Sequence, residues 1–248
     1  MAEQVLVVSS ILSVIPIRSQ RIKHLFTYLS LSQKLNSSRN TLKGSSSETD
    51  REVNLLTSKS ALEELKPESG IEVLIVLLYA PGAKGEVNEP IPGITRLDKL
   101  MFLLSKDEKF KQQVSDYQFE PYNYGPFATE LFDDLEALID QGIIERTDRK
   151  EPDSAIQTKD AEWIEDQTFE ADRTSSWKFN PVDSYKLSPK GLIVGEKLFS
   201  GLTAKQIESV TKLKTRFNHM ELRLLLRFVY QKYRDYAKKS KIAERILK

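Results

Sequence analysis

The run Phe119-Glu120-Pro121-Tyr122-Asn123-Tyr124-Gly125-Pro126-Phe127 constrains this chain more than any other. Its two prolines and its glycine exclude a continuous helix and force a turn, and its aromatic side chains must find packing on either side of that turn. Helical signals flank it. Upstream, Thr95-Arg96-Leu97-Asp98 matches the Thr-x-x-Asp capping box, and Leu97, Leu100, Met101 and Leu104 then hold one apolar face at helical spacing. Downstream, Pro126 suits the first turn of a new helix, along which Phe127, Leu131, Leu135, Leu138 and Ile139 line one side. Gly142 stands where a C-terminal cap is expected.

The remaining elements order themselves around this pair. Ile71 to Tyr79 is apolar except for Glu72, too short for periodicity to separate a buried strand from a buried helix. The elements that follow place a helix there. Gly142 to Thr147 is a short β-prone run, and Tyr185-Lys186-Leu187-Ser188 fits its antiparallel partner. Ser188 as N-cap with Pro189 at the first helical position then opens a helix through Phe199. Helix, helix, helix, strand, long wing, strand, helix is the order of a winged helix. The expected class is therefore mainly α with a small β-hairpin (α+β), a winged helix-turn-helix with a long acidic wing insertion and a helical C-terminal extension. The expected division is a leader and linker over 1–69, the winged-helix domain over 70–200 with an insertion at 148–182, and a basic helical extension over 201–248.

The leader is acid-poor and Ser-rich, with Glu3 its one acidic residue before Ser47 against six basic ones. The apolar stretch Val5 to Ile17 is interrupted by Ser9, Ser10, Ser13 and Pro16, so it reads as a floppy arm or a transit-like segment rather than a membrane span. A short helix, Ser58 to Leu65, is expected before Pro67. With no membrane segment and no cysteine in 248 residues, a cytoplasmic protein without disulfides, thiol nucleophiles or Cys-bearing zinc sites is expected.

Catalytic chemistry is thinly supplied. The two histidines are His24, in the leader, and His219, in the turn between two C-terminal helices, where capping or surface exposure suits it better than catalysis. No Ser-His-Asp arrangement and no phosphate-binding glycine loop is recognisable. Pro152-Asp153 resembles the start of a metal-dependent nuclease motif but lacks a downstream Asp/Glu-x-Lys, and the Glu130, Asp133, Asp134 cluster attracts Mg²⁺ only weakly. No catalytic residue, metal or cofactor is expected.

Taken together, Ile94 to Leu104, the Pro-Tyr-x-Tyr-Gly-Pro core at 121–126 and Leu135 to Ile144 resemble an uncharacterised prokaryotic winged-helix family. More distantly, they are similar to the Panacea and SocA type of antitoxin domain. The resemblance extends over roughly Ile71 to Ile242, including Tyr185 to Gly191 and Phe228 to Tyr233, and covers nothing before Ile71. It implies transcription regulators, antitoxins or accessory proteins of mobile elements and defence loci, with no catalytic residue to transfer.

Charge is distributed unevenly although the chain as a whole is nearly neutral, at +1. The third helix carries Glu130, Asp133, Asp134, Glu136 and Asp140 with no base, which opposes insertion beside a phosphate backbone. The insertion Glu151 to Asp172 holds eight acidic residues and one base, Lys159, and reads as a solvated loop, while Trp163 and Trp177 either meet a partner or pin it to the domain. From Lys205 to Lys248, thirteen bases face four acids. This is the expected nucleic-acid footprint, with Lys212, Lys214, Arg216, Arg234, Lys238 and Lys239 making backbone contacts. Arg96 and Lys99 on the second helix and Arg146, Arg149 and Lys150 at the wing base are expected to assist. Tyr230, Tyr233 and Tyr236 either stack on nucleotides or, with the bases, cover the helical pair and balance the acidic insertion. Pairing of the acidic insertion with the basic end would make an autoinhibitory clamp. The function expected is a DNA-binding regulator. The alternative is an antitoxin-like or adaptor module that grips a toxin or complex subunit through Tyr122, Tyr124, Phe127, Glu130, Asp133 and Asp134, with at least two of the three aromatics expected to be core. Neither the oligomeric state nor the operator is legible.

Overall fold

Nine of the ten residues of the first helix, α1 (Gly70–Tyr79), are buried. An all-round apolar surface fits the centre of a fold rather than a striped surface helix, which is why its periodicity could not separate helix from strand. Local polar contacts select the helix. The Glu72 carboxylate turns back to accept the backbone N–H of Glu68 (2.6 Å) and Ser69 (3.2 Å), and Asp116 accepts that of Gly70 at 3.1 Å. Orphan donors at the helix start are thereby satisfied.

The computed structural model describes residues 66–147 and 183–248, which belong to one compact unit starting at Lys66. Expectations for the leader, for the 148–182 insertion with Arg149, Lys150, Trp163 and Trp177, and for the clamp lie outside the described residues. After α1 come β1 (Ile91–Pro92), α2 (Ile94–Ser105), β2 (Glu120–Tyr122), β3 (Gly125–Phe127) and α3 (Thr129–Asp140). Then follow β4 (Ile144–Thr147), β5 (Ser184–Leu187), α4 (Pro189–Ser200), α5 (Ala204–Phe217), α6 (Leu222–Lys232), α7 (Arg234–Ala237) and α8 (Ala243–Leu247). The described unit is thus α+β. One sheet has the order β1-β5-β4, and β2 and β3 form a separate hairpin.

The β4–β5 pair forms as the sequence indicates, antiparallel with Ile144 opposite Leu187 and Thr147 opposite Ser184. Gly142, at φ +65°, ends α3: its N–H reaches Ile139 O and that of Ile143 reaches Leu138 O, the paired bonds of a Schellman cap. Ser188 caps α4, its Oγ accepting from the Gly191 N–H at 3.0 Å with Pro189 at the first position. Glycines let α4 close on its neighbours. A Cβ at Gly191 would collide with the Ile143 carbonyl oxygen, and one at Gly195 would stand 2.7 Å from Leu187 and 2.8 Å from Tyr79. On β5, the Asn88 amide brackets Leu187, donating to its O at 2.9 Å and accepting its N–H at 2.7 Å.

Two helix starts differ from the sequence reading. The N-cap of α2 is Gly93, at φ +82°, so Thr95 already lies within the helix and Asp98 is buried rather than capping. Pro126 is not a helix opener. It sits in β3 opposite Pro121, and α3 begins at Thr129, leaving Phe127 on the hairpin. Proline has no N–H to donate, and a short hairpin tolerates that as readily as a helix start does.

The C-terminal helices are built onto α2 rather than appended. Arg96 donates through Nη1 to Phe217 O (2.7 Å) and Met220 O (2.6 Å) and through Nε to Pro92 O (3.2 Å), so it fastens the α5–α6 junction to α2. Lys214 reaches from α5 to Leu78 O (2.7 Å) and Ala80 O (2.8 Å), covering the carbonyl end of α1. Asn218 donates to Glu89 at 2.8 Å, and His219 contacts the same carboxylate oxygen. Among the described residues no helix is long and apolar enough to cross a membrane.

Candidate nucleic-acid interface

The amphipathic pattern of α5 and α6 turns Val210, Phe217, Leu222, Leu225, Leu226, Val229 and Tyr230 inward and leaves most of the bases outside. Three of the cations expected to meet phosphate are internal instead. Lys214 is fully buried, Arg96 is 3% exposed, and Lys99 is buried with Nζ 2.6 Å from Asp98 and 2.8 Å from Pro126 O. Each hydrogen-bonds backbone carbonyls or a carboxylate inside the fold, and none is exposed on the outer surface. Burial in the core pulls Lys214 down from the lysine range to about 7, with Glu89 opposing. At Glu89, burial pushes the carboxyl up, but hydrogen bonds from Asn218, His219 and the Lys84 backbone hold it below its ordinary value.

Among the described residues, the other expected bases are at the surface. Lys212 pairs with Glu208 one turn back, and Arg216 stacks over Phe217 and Phe228 at 4.9 and 5.1 Å. Lys238 pairs with Asp235 at 2.6 Å, while Arg234 and Lys239 are exposed. Arg146 is exposed on β4, 3.5 Å from the buried Asp183 carboxylate. The Lys212–Glu208 and Lys238–Asp235 pairs, exposed on both sides, contribute little and do not lock their lysines. Lys241, Arg245 and Lys248 are also exposed and extend the same stretch. They entered the sequence reading only as part of a charge total, because α7 and α8 are too short to show a periodic face.

Of the three tyrosines, Tyr230 is internal and Tyr233 and Tyr236 are half-buried. Tyr230 is buried with its hydroxyl 2.9 Å from Ser240 Oγ, and burial raises its phenol above the usual range. Tyr233 and Tyr236 pack edge-on against Phe102 at 5.0 and 4.7 Å, and Lys106 sits over Tyr236 with a 2.9 Å bond to its hydroxyl.

Aromatic exposure lies at the β2–β3 hairpin instead. Tyr122, Tyr124 and Phe127 were expected to be mostly core, yet none is buried: Tyr122 is 38% exposed and the other two are half-buried. Tyr122 stacks on Phe127 at 4.9 Å and 30°. With Phe132, the three wall a small pocket that Asp98 and Lys99 also line. Burial raises the Asp98 carboxyl, opposed by Lys99. The acidic residues of α3 divide. Asp134 is buried and accepts the Tyr117 hydroxyl at 3.0 Å, which removes it from any docking surface. Asp133 remains exposed, and Glu130 accepts the Gln118 N–H at 3.4 Å.

The structure also joins two groups that the sequence left apart. Helix α7 packs on β2 and β3, and the backbone N–H of Lys241 donates to Asn123 O, at the hairpin turn, at 2.9 Å. The basic C-terminal stretch and the exposed aromatic hairpin therefore share one surface. Comparison with protein-family models, curated proteins and solved structures finds no match to this chain.

Proposed function

We propose that the unit beginning at Lys66 is a winged helix with a helical C-terminal extension, and that it is a non-catalytic regulator holding DNA by its backbone. Its topology favours the fold assignment: three helices precede the β4–β5 pair, the strand order is β1-β5-β4, and the 148–182 insertion falls where a wing would lie. The observation that carries the function is the exposure of Lys232, Arg234, Lys238, Lys239, Lys241, Arg245 and Lys248 within one short stretch. Such a stretch recruits phosphate by releasing condensed counterions and reads little sequence by itself. Helix α3 does not enter the groove in this arrangement, because Asp133 and Asp140 stand on its exposed face.

Titration of a labelled mixed-sequence duplex at low salt, followed by fluorescence anisotropy, tests the proposal. The protein should bind with a Kd of about 10⁻⁴ to 10⁻⁶ M at physiological salt, as non-specific binders do, and more tightly at low salt. The Arg234→Gln/Lys238→Gln/Lys239→Gln variant should weaken binding at least tenfold. Absence of binding at low salt would overturn the proposal.

An antitoxin-like or adaptor role is the second reading, favoured by the exposed Tyr122 ring stacked on Phe127. It predicts that a stoichiometric protein partner co-purifies with the wild type and is lost from Tyr122→Ala.

A further inference from the structure

We infer that the DNA held by this protein is single-stranded, with an unpaired base stacked on Tyr122 and the adjoining phosphates met by Lys238, Lys239 and Lys241; this rests on the DNA proposal above. Three features converge on one ligand chemistry. The Tyr122 ring is backed by Phe127 in a stacked pair, which fixes its plane, and it retains 38% exposure. A ring held in place by a partner and open to solvent accepts a base at small entropic cost, and every base offers a π-face.

The cations stand beside it by construction. Gly125, at φ +94°, lies so close to Tyr230 that a Cβ there would be 2.6 Å from the Tyr230 ring, so the hairpin is seated against α6. The Lys241 N–H to Asn123 O bond then ties the C-terminal segment to the tip of the same hairpin. The segment that carries exposed Lys238, Lys239 and Lys241 therefore runs beside the hairpin that carries Tyr122. A positively charged track beside an aromatic platform is the arrangement that holds single strands without sequence preference.

A duplex fits less well. Its bases are stacked on one another and offer no face to Tyr122, while the exposed carboxylates of α3 oppose insertion of that helix beside phosphates. Glu120 lies two residues from Tyr122 on the same strand, at the end away from the turn, and is exposed. Its charge disfavours phosphate at that end of the strand.

The test uses the full chain with a fluorescent oligo(dT) and a duplex of equal length, in the same low-salt buffer. Wild type should prefer oligo(dT) by about tenfold or more. Tyr122→Ala should lower oligo(dT) affinity by about 5- to 150-fold, the range that one stacked base contributes. Duplex affinity should move far less, and Tyr122→Phe should keep the preference. Lys238→Gln/Lys239→Gln/Lys241→Gln should weaken both ligands. If Tyr122→Ala keeps wild-type affinity for oligo(dT) while the lysine variant loses both, the single-strand inference is overturned and the DNA proposal stands. If neither ligand binds the wild type, both are overturned. A thermal melt of Tyr122→Ala, expected within a few degrees of wild type because the side chain is exposed, separates lost stacking from lost folding.

Discussion

Individual cations decide how much of the basic sequence is available as surface. Arg96 and Lys99 lie off the Leu97, Leu100, Met101, Leu104 face, so an isolated α2 would present them to water. Ten of its twelve residues are nevertheless buried, because α5, α6 and β3 close over the opposite side. No local pattern announces a second covering layer. Arg96 serves three carbonyls, and hydrogen bonds to a charged group are each worth about 1.5–3 kcal/mol. Arg96→Ala should therefore lower unfolding free energy by about 3 kcal/mol or more in urea titrations. Arg96→Lys should recover only part, since an ammonium lacks the planar fork that spans Pro92, Phe217 and Met220. Unchanged stability would show that these bonds are immaterial. Lys214 adds a pH dependence. Its folded value is about 7, whereas an unfolded lysine keeps its proton to about 10.4. Between those values the unfolded chain binds more protons, so this group makes stability rise with pH across that window and adds no slope below it. The rise approaches ~1.4 kcal/mol per pH unit, and thermal melts from pH 6 to 9.5 should show it in wild type but not in Lys214→Met.

At the scale of elements, the Ser188-Pro189 start of α4, the Gly142 end of α3 and the β4–β5 pair were legible because each is specified by neighbours in sequence. The α2 and α3 starts were misplaced because a capping box and a proline at the first helical turn are local patterns that tertiary contacts reassigned. Asp98 was taken up by Lys99 at 2.6 Å, and Pro126 by its strand pairing with Pro121. Two of the positive-φ glycines at these elements, Gly142 and Gly125, separate backbone strain from crowding. Gly142 has open space around it, so Gly142→Ala should cost ~1 kcal/mol, the penalty of a left-handed alanine. Gly125 combines φ +94° with the Tyr230 ring, so Gly125→Ala should cost upwards of ~2 kcal/mol and loosen the hairpin from α6. Differential scanning calorimetry of both variants checks the order. A larger loss at Gly142 would contradict the seating of the hairpin on Tyr230.

For the whole molecule, near-neutral composition conceals a division of charge between the acidic face of α3 and the exposed bases from Lys232 to Lys248. The sequence located the basic region but could not sort its members, since Lys214 lies on the same helix as Lys212 and Arg216 and differs only in facing α1. The meeting of that region with the Tyr122 hairpin was not legible at all, because more than a hundred residues separate Asn123 from Lys241. The central claim is phosphate contact by this surface, and the salt dependence of binding measures it most directly. For wild type and Lys238→Gln/Lys239→Gln/Lys241→Gln, oligo(dT) affinity would be followed by anisotropy over a series of salt concentrations. Log K should fall linearly with log salt for wild type, and the triple variant should show a slope shallower by about 2, at about 0.7 per lost contact on a single strand. Equal slopes in the two proteins would contradict phosphate contact by these lysines.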